Sequence, residues 1–138
     1  MASTPPLLPA DPRDRAKVRA LAALLACDIH PINNRRILEY LRKTLGCDEA
    51  AVQAWCTTWI NAGFEAFEAL LAADQQRGAF CFGNTPTLAD AYLVPQVESA
   101  RRFNIDLAPF PSIVAVDQAC AELDAFRRAA PGVQADAR

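Results

Sequence analysis

The sequence predicts an all-α fold, a bundle of about five helices, and two observations support that prediction. Proline and glycine fall in a few short clusters, and the segments between the clusters have the length of helices. Residues 48–74 repeat apolar side chains at intervals of three and four, whereas no segment alternates like a half-buried strand. At 138 residues, the chain is long enough for one domain with its own core.

The first predicted helix runs from Pro12 to Leu45. Asp11 suits its N-cap, and proline at the first helical position is favourable because its missing N–H has no partner there in any case. Gly46 suits the position after the last turn. Pro31 lies inside the helix and removes one backbone hydrogen bond, which predicts a kink.

The second predicted helix runs from Asp48 to Asp74 and has the apolar stripe of a central core helix. The stripe follows helical spacing for about five turns and consists of Val52, Trp55, Cys56, Trp59, Ile60, Gly63, Phe64, Phe67, Leu70 and Leu71. Its two tryptophans are interpreted as core or interface anchors.

The third predicted helix begins at Thr87, where Thr87-Leu88-Ala89-Asp90 has the pattern of a capping box. In such a box the two side chains satisfy backbone N–H groups that have no partner within the helix, so Thr87 and Asp90 are interpreted as a structural cap. Shorter helices are predicted over 112–122 and 124–129.

The charge pattern argues against several classes of function. The net charge is −2, which is not that of a general nucleic-acid binder, although residues 11–45 carry +4 and residues 48–90 carry −5. No apolar run approaches the length that spans a bilayer, and the N-terminus lacks the features of a signal peptide. We therefore expect neither a nucleic-acid nor a membrane partner.

The cysteine and histidine content argues against metal and disulfide chemistry. The five cysteines are odd in number and include no C-x-x-C pair, which favours reduced thiols in a cytoplasmic protein and no metal site. With a single histidine and no glycine-rich phosphate loop, the residues by themselves assemble no catalytic group.

Two polar clusters are the candidates for a binding site. His30 and Asn34 lie four residues apart beside the predicted kink and therefore share a helix face. Arg101 and Arg102 end the third helix, where arginine is favoured by the helix dipole alone. A guanidinium also binds a carboxylate through two parallel hydrogen bonds, so a site for a small dianion is the functional alternative.

Several segments resemble the zeta-class glutathione transferases, among them bacterial maleylpyruvate isomerases and, next, maleylacetoacetate isomerases. The resemblance covers nearly the whole chain, and its most specific segments are Cys27-Asp28-Ile29-His30-Pro31 with Asn33-Asn34, Gly83 to Asp90, Leu93 to Val97, and Ala100-Arg101-Arg102-Phe103. It implies a helical domain of the glutathione-transferase C-terminal type over 12–138. Residues 1–11 would be a linker or an added start, and the thioredoxin-like domain that precedes this one in the family is absent from these residues.

The resemblance also implies a reaction and the residues for it. In the family, the thiolate of glutathione adds to the cis double bond of maleylpyruvate or maleylacetoacetate, rotation follows, and elimination gives the trans product. Arg36 and Arg102 would hold the carboxylates of the substrate, and His30 and Asn34 would lie near glutathione. No residue of this chain would activate the thiol.

The expected function is therefore the substrate side of a glutathione-dependent cis–trans isomerase of aromatic degradation, inactive alone. It would require a thioredoxin-like partner domain, and exposed apolar surface would favour a dimer or other homo-oligomer. The alternative is a non-catalytic helical interaction module.

Overall fold

A computed structural model describes residues 6–135, and within that range the chain consists of helices and connecting turns without a strand. The predicted all-α fold is confirmed. Of the predicted linker over 1–11, residues 1–5 lie outside the described part, as do residues 136–138. The backbone carbonyl of Leu7 accepts a hydrogen bond from the Leu88 N–H at 2.8 Å, which attaches this segment to the start of the third predicted helix.

The helices are numbered here in chain order, with a π-helical segment over Leu24–Ile29 between the first two and a 3-10 turn over Pro131–Val133 after the last. They are α1 (Pro12–Ala23), α2 (His30–Asn33), α3 (Arg35–Lys43), α4 (Glu49–Ala73), α5 (Leu88–Arg102), α6 (Pro111–Ala121) and α7 (Asp124–Ala129).

The prediction of a single kinked helix from Pro12 to Leu45 is wrong, because the helix ends at Asn33 and a new one starts at Arg35. Asn34 is extended, with φ −76° and ψ 165°, and its side chain accepts the N–H of Ile37 at 3.3 Å. The amide of Asn34 thus caps α3 and competes with continuation of the preceding helix.

Side-chain donors occupy three carbonyl groups at this break. They are Asn33 Nδ2 to Ile29 at 2.9 Å, Asn34 Nδ2 to Pro31 at 3.0 Å, and Trp55 Nε1 to Ile32 at 2.8 Å. The bond from Trp55 comes from α4, so packing against the core helix helps to hold the break in place.

Helix α4 is the core helix that the sequence predicts, with Asp48 as its N-cap. Gly63 permits close contact with the π-helical segment, because a Cβ at that position would collide with the side chain of Ile29. Trp59 and Leu70, predicted on the apolar stripe, are 42% and 51% exposed. The buried stripe is therefore narrower than predicted.

Helix α5 begins at a fully buried carboxylate. Both the N–H and the hydroxyl of Thr87 donate to Oδ2 of Asp90 at 2.7 Å, and the N–H of Cys81 donates to Oδ1 at 2.8 Å. The hydrogen bond from Cys81 attaches the preceding loop to the helix. The capping box predicted from the sequence did not include this bond.

Helix α6 is capped by a side chain from a different helix. Glu68 in α4 accepts the N–H groups of Ser112 and Ile113 at 2.8 and 2.9 Å, and the residue before α6, Phe110, provides no side-chain cap. The negative carboxylate also complements the positive end of the helix dipole.

We expect Glu68→Ala to lower the free energy of unfolding by about 1–2 kcal/mol, because two N–H groups of α6 lose their acceptor. Urea denaturation followed by circular dichroism measures this change. Glu65→Ala is the matched control, since Glu65 is an exposed carboxylate on the same helix. Equal losses in the two variants would contradict a capping role for Glu68.

Candidate functional site

A cleft with a volume of about 890 Å³ separates the break region from α5. Most of its walls are formed by one face of α5 and one face of α3, with the π-helical segment and α2 completing the lining. Its apolar part includes Leu25, Leu38, Tyr92, Pro95 and Phe103. The cleft therefore combines an apolar surface with a few polar side chains, as ligand sites commonly do.

The polar residues that α5 contributes to the cleft lie on one helix face. Tyr92, Gln96, Ser99 and Arg102 line the cleft and are three or four residues apart. This spacing places them one above the other along the helix. Their side chains offer two hydroxyls, an amide and a guanidinium.

Three of the four residues predicted for binding line the cleft, namely His30, Asn34 and Arg102. Arg36 is exposed and does not line it. The neighbouring Arg35 lines it instead, because successive residues on a helix point about 100° apart.

Two arginines of α3 at the cleft are neutralised by carboxylates. Arg35 Nε lies 2.8 Å from Glu39, and this hydrogen bond lowers the pKa of the Glu39 carboxyl. Arg42 makes two hydrogen bonds to Glu49, at 2.6 and 2.8 Å, and lowers the pKa of that carboxyl in the same way. Neither guanidinium adds much net positive charge to the cleft.

The adjacent residues Arg101 and Arg102 at the end of α5 differ in whether a carboxylate neutralises them. Arg101 pairs with the buried Asp117 of α6 and lies 4.0 Å from Glu98. Among residues 6–135, Arg102 has no carboxylate within ion-pair distance. Of the pair that the sequence left ambiguous, Arg101 has a structural partner and Arg102 brings an uncompensated charge to the cleft.

His30 and Asn34 lie on the side of the cleft opposite α5. His30 is exposed, at the start of α2. The amide of Asn34 already bonds the Pro31 carbonyl and the Ile37 N–H, which leaves one N–H of its NH₂ group for another acceptor. Both side chains can therefore donate hydrogen bonds at the cleft while the bonds that hold the break between α2 and α3 stay in place.

Two buried amides of the cleft lining were missed by the sequence reasoning. Within the described residues, Nε2 of Gln96 and Oδ1 of Asn33 have no hydrogen-bond partner, and the two side chains are 4% and 6% exposed. The two successive three-residue steps from Gln96 to Ser99 and from Ser99 to Arg102 were the signal that could have identified it. Asn33 belongs to the Asn33-Asn34 segment of the family resemblance, but it was given no role there.

The buried thiols of this chain are not poised for nucleophilic chemistry. Burial raises the pKa of Cys120 to about 12, and it also raises the pKa of Cys56 and Cys81. Thiolates, rather than thiols, are the nucleophiles. Within residues 6–135 no group of three histidine, cysteine or acidic side chains is placed to hold a metal ion.

We expect iodoacetamide at pH 8 to label Cys27 in the native chain within minutes and to leave Cys56, Cys81 and Cys120 unlabelled. Cys27 is exposed, whereas the other three are buried. Burial raises the pKa of all three thiols, which disfavours their reactive thiolate form, so the order of labelling holds at neutral and mildly alkaline pH. Mass spectrometry of peptides locates the label, and denatured protein is the control in which all five react.

Comparison with known proteins gives a consistent result. The family described as "Glutathione S-transferase, C-terminal domain" matches residues 49–135, which is more than half of the chain. A maleylpyruvate isomerase of a Ralstonia species is 73% identical over 133 residues, which are 96% of this chain and 63% of that protein.

Solved structures agree with the sequence comparison. The holo structure of maleylpyruvate isomerase, described as a bacterial glutathione S-transferase of the zeta class, matches with a TM-score of 0.96 and 72% identity. The match covers 98% of this chain and 64% of that one. A maleylacetoacetate isomerase from Anaeromyxobacter dehalogenans, with dicarboxyethyl glutathione and citrate in its active site, matches with a TM-score of 0.89 and 41% identity, covering 97% and 60%. This chain thus spans somewhat less than two thirds of these relatives.

Proposed function

Because this chain belongs to the glutathione S-transferase C-terminal domain family, we propose that it forms the substrate side of a glutathione-dependent cis–trans isomerase. The substrate class is a maleyl-type dianion such as maleylpyruvate or maleylacetoacetate, which the names of the relatives contain. The observation that supports this proposal most directly is Arg102, a guanidinium in a partly apolar cleft that has no carboxylate partner among residues 6–135.

Arg102 would bind a carboxylate of the substrate. Its planar fork fits a carboxylate through two parallel hydrogen bonds, and such bonds are stronger when both groups are charged. The apolar wall beside it, which includes Tyr92 and Phe103, suits the carbon chain between the charged ends of the ligand. The role expected for Arg36 stays a prediction, since this side chain lies outside the cleft lining.

Glutathione would occupy the side of the cleft that holds His30 and Asn34. A tripeptide presents amide and carboxylate oxygens, and an imidazole and a carboxamide with a free N–H are suitable donors for them. When bound, glutathione supplies a thiolate that adds reversibly to the double bond and permits rotation about it. In this proposal the residues of this chain orient the substrate for that chemistry.

The groups that activate the thiol would come from a thioredoxin-like domain packed over the cleft. The described residues contain no catalytic cluster for this step, since burial raises the pKa of the buried cysteines and Arg35 is paired with Glu39. We therefore expect these 138 residues alone to catalyse no measurable isomerisation.

Two experiments on the 138 residues alone test the proposal. An assay of maleylpyruvate isomerisation with glutathione should detect no activity, and thermal denaturation should show stabilisation by millimolar maleate or fumarate. Robust turnover by the chain alone would contradict the proposed division of roles. Indifference to every dicarboxylate and to glutathione would favour the alternative, a non-catalytic interaction module.

The proposal includes self-association and a cytoplasmic location. Exposed side chains such as Tyr40, Leu45, Trp59 and Leu70 give the domain apolar surface of the kind that drives association. Five free cysteines fit a reducing compartment. No helix among the described residues is long and apolar enough to span a bilayer. Light scattering at high concentration tests association, and a strictly monomeric mass would argue against it.

A further inference from the structure

Gln96 lines the cleft between Tyr92 and Ser99 on the polar face of α5. The role assigned to it below rests on the proposed function and specifies which part of the ligand this face recognises. Gln96 is 4% exposed, and its Nε2 has no acceptor within the described residues. A buried N–H without an acceptor is unfavourable and rare in native proteins.

The neighbouring polar groups do not satisfy this amide. Asn33, across the cleft on α2, has an unpaired Oδ1, yet the two side chains are not hydrogen-bonded to each other. The Nδ2 of Asn33 donates to the Ile29 carbonyl at 2.9 Å, which fixes the orientation of that amide. Within the described residues, the N–H of Gln96 and the oxygen of Asn33 therefore stay separately unpaired at the cleft.

The position of Gln96 relative to Arg102 suggests what the acceptor is. Six residues along an α-helix correspond to a rise of about 9 Å. An elongated ligand with its carboxylate at Arg102 would therefore place an uncharged oxygen of its chain, rather than the same carboxylate, near Gln96. Nε2 is itself buried in the unliganded chain, and the terminal torsion of glutamine is broad, so the amide would turn to present its N–H to an acceptor in the cleft that the residue lines.

We propose that Gln96 is a specificity-determining residue that donates a hydrogen bond from Nε2 to an oxo oxygen of an elongated oxo-dicarboxylate whose terminal carboxylate is held by Arg102. A neutral amide suits this role, because it pairs with an uncharged carbonyl without adding a second charge to the cleft. Short dicarboxylates that lack an oxo group, such as maleate, would bind to Arg102 and leave Gln96 without a partner.

The experiment uses two stable probes that differ only by the oxo oxygen, 4-oxoheptanedioate and heptanedioate. Their dissociation constants are measured by isothermal titration calorimetry with the wild-type chain, Gln96→Met and the control Gln118→Met. Gln118 is an exposed glutamine of α6 that does not line the cleft. Methionine keeps the length and approximate volume of glutamine and removes the hydrogen bond.

The wild-type chain should prefer the oxo probe by about 3- to 10-fold, the discrimination expected from one neutral hydrogen bond. Gln96→Met should abolish that preference and leave the affinity for heptanedioate unchanged, and Gln118→Met should retain the preference. The melting temperature of unliganded Gln96→Met should equal or exceed that of the wild type, because the lost N–H has no partner among the described residues. A purely structural glutamine would instead give a lower melting temperature and equal effects on both probes.

The other outcomes are equally decisive. If the wild type binds both probes without preference, or if Gln96→Met keeps the preference, the assignment of Gln96 is wrong while dicarboxylate binding stands. If the wild type binds neither probe, the proposed function and the assignment of Gln96 both fail.

Discussion

Replacement of Arg102 by alanine should weaken the binding of maleate by about 10- to 100-fold, the loss expected when charge-assisted hydrogen bonds of roughly 1.5–3 kcal/mol are removed. Arg102 lines the cleft, and no carboxylate of the described residues lies within ion-pair distance of it. Its charge is therefore available to an anionic ligand. Calorimetric titration of the purified chain measures the change.

Two further variants separate the contribution of the guanidinium fork from that of charge. Arg102→Lys keeps the positive charge and loses the bidentate geometry, so we expect an intermediate loss of affinity. Arg19→Ala removes an exposed arginine of α1 that does not line the cleft, and it should bind maleate as the wild type does. If Arg36→Ala weakens binding more than Arg102→Ala does, the site proposed here is misplaced.

The largest effect on stability is expected at Asp90. Replacing it with alanine should lower the free energy of unfolding by about 3–5 kcal/mol, because the N–H groups of Thr87 and Cys81 lose their acceptor in a fully buried site. In a domain of this size, such a loss lowers the melting temperature by roughly 10 °C or more. Differential scanning calorimetry measures both quantities.

Asp48→Ala is the matched control for this prediction. Asp48 also caps a helix, since it accepts the N–H of Ala51 at 2.8 Å, but it is exposed. Its loss should cost about 1 kcal/mol, as is usual for an N-cap that water can replace. Similar losses in the two variants would show that burial and the link to Cys81 add nothing to the cap at Asp90.

Much of the fold could be predicted because its signals are local. The bounds of α4 follow from Asp48 and an apolar stripe, and the start of α5 follows from the spacing of Thr87 and Asp90. The candidate residues His30, Asn34 and Arg102 were singled out as polar clusters and given roles by a resemblance, and the structure places all three at one cleft. Each of these features involves a few neighbouring residues or a repeating pattern.

The break after Asn33 shows where this reasoning stopped. Pro31 predicted a kink, whereas the structure has a complete break. The break is held by the cap at Asn34 and by the hydrogen bond from Trp55 to the carbonyl of Ile32, which is 23 residues away in sequence. The break gives α3 its own helical start, and the face of α3 at the cleft contains Arg35, not Arg36. A sequence pattern could not choose between these adjacent arginines.

The sequence by itself determined that the chain is helical, where most helices begin and which residues cap them, because hydrogen bonds and apolar spacing within one helix depend on neighbouring positions. The tertiary structure alone decided that Glu68 caps α6 and that Arg101 has a structural partner whereas Arg102 lines the cleft. It also decided that Nε2 of Gln96 is buried with no hydrogen-bond acceptor among the described residues. These outcomes depend on how helices distant in sequence pack together, and the free energy of a buried polar group is set by the neighbours that this packing provides.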